Sequence, residues 1–178
     1  MRTRALIGAV GLVVVAMLSG CGDSGSDDNG GAGDQDGGSG ETVSKQDWVR
    51  AADAACDTAK SAIADIPGST ALLASPQNDE QLMQAAEYLS SLADSLERLV
   101  EELDDMPQPE TDADQANAVV DALGKALASL HTAHDAATAG DATTYAADFA
   151  TFDQDFEAYT GAADAAGLTV CASQTVAD

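Results

Sequence analysis

Basic residues are scarce in this chain. Seven lysines and arginines stand against 31 aspartates and glutamates, a net charge of −24 at neutral pH. Such a surface repels nucleic acid, which is excluded as a partner, and makes anionic lipid an unfavourable direct contact. It leaves two uses for the charge: solubility outside the cell, or recognition of a cationic partner or metal. Histidine and cysteine are also sparse, with two and three residues. Catalytic signatures are missing. There is no Gly-x-Ser-x-Gly elbow, no Ser-x-x-Lys, no His-Glu-x-x-His, no phosphate loop and no Glu-x-x-His pair of the kind that builds carboxylate-bridged metal sites in bundles. The expectation is a non-catalytic protein with no cofactor. Only Leu168-Thr169-Val170 looks β-like. The one long apolar run, Ala5 to Leu18, falls short of the about 20 residues a membrane span needs.

That run is informative by its flanks. Met1-Arg2-Thr3-Arg4 is a basic start, and Leu18-Ser19-Gly20-Cys21 closes the run with small residues and a thiol. A basic start, a short apolar stretch and a small-residue end form an export signal. The closing tetrad resembles the lipobox of bacterial lipoproteins at all four positions. The resemblance implies cleavage before Cys21, a diacylglyceryl group on its thiol and attachment to the cell membrane on the extracytoplasmic side. Two acyl chains on one residue give stable anchorage where one does not. Residues 1–20 are then a signal peptide, and the mature chain keeps five basic residues against 31 acidic.

Residues 21–43 read as a lipidated cysteine and a tether. Gly22 to Val43 holds eight glycines and six acidic residues with no base, too little apolar surface to fold. As a flexible coil it spans about 25 Å. With Cys21 committed to lipid, Cys56 and Cys171 remain. An even pair in an exported domain suggests an intramolecular disulfide, with two free thiols or an intermolecular bridge as the alternatives.

Residues 44–178 read as four amphipathic helices. The first starts at Ser44, with Asp47 three residues on, and carries Trp48, Ala52, Ala55/Cys56, Ala59, Ile63 and Ile66 on one face before Pro67-Gly68. The second runs from about Asn78 to the Pro107/Pro109 pair, with Leu82, Ala85, Leu89, Leu92, Leu96, Leu99, Leu103 and Met106 at alternating steps of three and four. The third starts at Thr111, carries Ala116, Val119/Val120, Leu123, Leu127, Leu130 and His134, and stops at Gly140. The fourth, from about Asp141 to Ala166, has the seam Tyr145, Phe149, Phe152, Phe156, Tyr159 and Ala163 and ends at Gly167. Short links make the expected fold an all-α, up-down-up-down four-helix bundle clasped by one disulfide, acting as a monomer. For Cys171 to meet Cys56, the tail must reverse at Gly167 and climb back along the first helix. The carboxy-terminal "AAGLTVC", with a cysteine midway along the first helix, resembles small helical lipoproteins of high-GC Gram-positive bacteria. That resemblance implies a disulfide-clasped exterior domain and carries no activity with it.

Three features are candidates for function. His131 and His134 share a helix face with Asp135 beside them, a partial ligand set for a borderline metal; otherwise they form a solvated helix end. Glu101, Glu102, Asp104, Asp105, Glu110, Asp112 and Asp114 form an acidic tip without a base among them. Charge at the end of the second helix opposes its dipole, which a divalent ion or a basic partner would offset. Otherwise the tip is simply hydrated and salt-screened. It should lie at the tether end of the bundle. The five rings of the fourth helix are either plain core or the lining of an apolar cavity. The reading that joins these observations is a lipid-anchored binding or interaction domain facing an envelope protein, with a carrier or sensor of a metal or small ligand as the alternative.

Overall fold

The computed structural model describes residues 42–68, 73 and 75–175. Cys21, the expected signal and the expected tether up to residue 41 lie outside the described residues. Four long helices are present: α1 (Lys45–Ala64), α2 (Asp79–Asp104), α3 (Ala113–Thr138) and α4 (Ala142–Ala166), followed by a one-turn α5 (Thr169–Ala172). Among the described residues the only β pairing is an isolated parallel bridge between Val43 and Pro109. The architecture is the expected all-α, up-down-up-down bundle.

The helices begin where side chains satisfy their free amides. The Ser44 hydroxyl accepts from the Asp47 amide at 3.2 Å and donates to the Asp47 carboxylate at 2.7 Å. Asn78 accepts from the Gln81 amide. Asp141 accepts from the amides of Thr143 and Thr144. The start of α3 differs from expectation. Its cap is Asp112, not Thr111, and Asp112 adopts a left-handed φ of 64° with no capping hydrogen bond. Its carboxylate instead takes the Lys45 ammonium at 2.8 Å. A cross-helix ion pair has won over local capping.

The predicted stripes form one core. Every α2 seam residue from Leu82 to Leu103 is buried, and Met106 packs half-buried at its end. Trp48, Ala52, Ala55, Cys56 and Ala59 of α1 are buried; Ile63 and Ile66 are half-buried at its far end. In α3, Ala116, Val119, Leu123 and Leu130 are buried, whereas Val120 and Leu127 sit at the margin. Alanines such as Ala126, Ala133 and Ala137 let α3 approach α4 closely. The two ends of the bundle are tied across the sequence. At one, Val43 exchanges backbone hydrogen bonds with Gln108 and Glu110. At the other, the Tyr145 hydroxyl donates to the Leu73 carbonyl at 2.7 Å.

Candidate functional site

The most elaborate construction in the bundle is the clasp between α1 and the tail. Gly167 closes α4 with φ 89°, a left-handed turn that costs glycine nothing. The chain reverses there, and Cys171 is joined to Cys56 with their Cα atoms 5.2 Å apart. Thr169 and Val170, β-like in sequence, are helical in α5. The reason is Asp53. Leu168 supplies no side-chain cap, so the Asp53 carboxylate on α1 accepts from the Thr169 amide, the Thr169 hydroxyl and the Val170 amide at 3.2, 2.9 and 2.8 Å. Gln174, buried, donates its amide to the Cys56 carbonyl at 2.9 Å. Tyr159 lies beneath, its hydroxyl 3.3 Å from Cys56 Sγ. A disulfide sulfur carries no proton, so the phenol is the donor. Burial, helped by the Asp53 charge, pushes the Tyr159 phenol well above its ordinary pKa.

The histidines are not brought together with a third ligand. His131 Nε2 faces Glu97 on α2 at 3.2 Å, while His134 Nδ1 lies 3.5 Å from its neighbour Asp135. Among the described residues no group of three or more His, Cys, Asp or Glu side chains is arranged to hold a metal ion. That removes the geometric support for a centre at His131, His134 and Asp135.

The acidic tip lies where the described chain begins, because Val43 pairs with Gln108 and Glu110. Glu101, Glu102, Asp104, Asp105, Glu110, Asp112 and Asp114 are all exposed. Asp112 has its cation in Lys45, so the cluster is not wholly without a base. The rings of α4 are core. Successive centroids from Tyr145 to Tyr159 are 5.4–5.8 Å apart, within the range of favourable ring contacts, and all five rings are buried. Burial drives the Tyr145 phenol up to about 12.

One polar group in the α3–α4 seam was not anticipated from the sequence. Asp155 is buried on α4, its carboxylate held by the Lys125 ammonium at 2.8 Å and by the Ser129 hydroxyl. The hydrogen bond from Lys125, then that from Ser129, keeps its pKa below the usual carboxylate range. Lys125 and Ser129 are four apart on α3, so they meet one acceptor. Only the occurrence of a single lysine in a stretch otherwise free of bases hinted at a fixed partner.

The chain matches no protein-family model, no curated protein and no solved structure. Among the described residues no helix is long and apolar enough to cross a membrane.

Proposed function

We propose that this protein is a lipoprotein of the bacterial cell envelope, anchored through Cys21 and displaying a non-catalytic interaction domain on the extracytoplasmic side. One observation carries the reading: Leu18-Ser19-Gly20-Cys21 closing an uncharged apolar run behind a basic start. The buried Cys56–Cys171 bond agrees with it, since structural disulfides persist in oxidising compartments. The acid-rich, Gly-rich residues 22–43 suit a spacer between lipid and bundle, and an acid-rich surface suits a domain kept off an anionic membrane. The partner is an envelope protein or a small ligand, met by the bundle as a monomer.

The test is a Cys21→Ala chain expressed in a bacterium that processes lipoproteins. The wild type should fractionate with membranes and the variant with the soluble material. A variant that stays with the membranes contradicts anchorage through Cys21.

A further inference from the structure

The corner between α1 and α2 forms a cavity of about 380 Å³, open to solvent on one side, that no role above uses; its size suits a small molecule. Pro67, Leu73, Ala85 and Tyr88 form its apolar wall, and Gln84, Ser91 and the exposed Glu87 add polar groups. Two contacts hold the walls, one between lining residues and one from α4. Gly68, at φ +136°, brings the turn so close to the ring that an added Cβ would sit 3.2 Å from Tyr88 Cδ2. Leu73 is held by the hydroxyl of Tyr145 on its carbonyl.

Two groups there lack partners. Tyr88 is only 7% exposed, yet its hydroxyl makes no hydrogen bond among the described residues. It is also not among the fully enclosed partnerless atoms, so the oxygen keeps an opening. Through that opening the oxygen can meet water or a ligand, while the ring stays packed in the wall. Burial raises the Tyr88 pKa, so the group stays neutral and accepts as well as donates. Among the described residues the exposed Glu87 carboxylate has no ion-pair partner, and no basic residue lines the cavity. Within a chain of net charge −24, the local field favours a cation.

We propose that this cavity binds a small organic amine, its apolar body against Pro67, Leu73 and the Tyr88 ring, its ammonium donating to the Glu87 carboxylate and the Tyr88 oxygen. An organic acid of the same shape is repelled at the rim. The site gives the bundle a small-ligand role and does not depend on the lipid anchor.

The experiment is an NMR titration of the full chain with phenethylamine and, separately, phenylacetate, following the Tyr88 ring and Leu73 methyl signals. Phenethylamine should produce saturable shifts and phenylacetate none. Glu87→Gln should weaken the amine about three- to fivefold, as for an exposed ion pair. Tyr88→Phe, which keeps the wall, should weaken it about threefold or more through the lost hydrogen bond. Circular dichroism should show both variants folded. No saturable shift with the amine, equal binding of phenylacetate, or unchanged affinity in Glu87→Gln would each overturn the proposal.

Discussion

Opening the clasp is the perturbation with the largest expected effect on stability. Cys56 and Cys171 are 115 residues apart in sequence, so their bond closes a loop around nearly the whole bundle. Chain-entropy reasoning assigns a loop of that length about 5 kcal/mol at 25 °C, a ceiling set by how far the unfolded chain is restricted. For a domain of this size each kcal/mol moves the melting temperature by about 3–5 °C, so the full effect is about 15–25 °C. Both sulfurs are fully buried, and reduction alone leaves two thiols packed in the same place. The assay is therefore a pair of thermal melts followed by circular dichroism: the wild type with and without a phosphine reductant, and the Cys56→Ala/Cys171→Ala double variant. Mass spectrometry confirms the thiol state in each. The double variant and the reduced wild type should both melt well below the oxidised protein. The Asp53 and Gln174 hydrogen bonds survive in both, so the helices should still form at 25 °C. A melting temperature within about 3 °C of the oxidised wild type in both samples would refute the reasoning.

Other substitutions probe the remaining supports. Asp53→Ala removes the cap of α5 and should cost about 1 kcal/mol, with the fastest gain in amide hydrogen exchange at Thr169 and Val170. Leu96→Ala, at the fully buried centre of the α2 seam, should cost about 2–5 kcal/mol by urea denaturation, the range for cavities at well-packed leucines. Asp155 has a folded pKa below its ordinary value of 3.8, so its contribution is complete above that value and disappears as pH falls through the folded pKa. The stability gap between wild type and Asp155→Asn, measured by urea melts, should therefore be constant near neutrality and begin to close only once the pH falls below the ordinary carboxylate value of 3.8. The buried Tyr145, with its phenol up to about 12, works in the opposite sense: its stabilisation is complete below about pH 10 and is lost as the pH rises towards 12.

Periodicity made the helices legible. The run from Leu82 to Leu103 repeats at three and four, and each of those residues is buried because such spacing can face only one side of a helix. The α4 rings are placed by the same rule, and Ser44, Asn78 and Asp141 mark starts because capping is a contact three residues long. What the sequence hid are contacts between residues far apart along it. Asp53 caps a turn 116 residues away, and nothing local distinguishes it from the other aspartates of α1. Thr169 and Val170 favour strand by propensity, but three hydrogen bonds to Asp53 outweigh that preference. Lys45 draws Asp112 out of its capping role for the same kind of reason. His131 and His134 share a face, as their spacing requires, yet each meets a different carboxylate. Spacing fixes which side a residue faces and leaves open what stands opposite. The cavity at Tyr88 is of this kind too, since its lining joins the turn after α1 to one face of α2.

Anchorage through Cys21 can be read directly from the intact mass and N-terminal fragment spectrum of the protein extracted from bacterial membranes. The expected chain begins at Cys21 and carries a diacylglyceryl group on that residue, with Cys56 and Cys171 together two hydrogens lighter than their thiol forms. A chain that begins elsewhere, or an unmodified Cys21 in the membrane fraction, would contradict it.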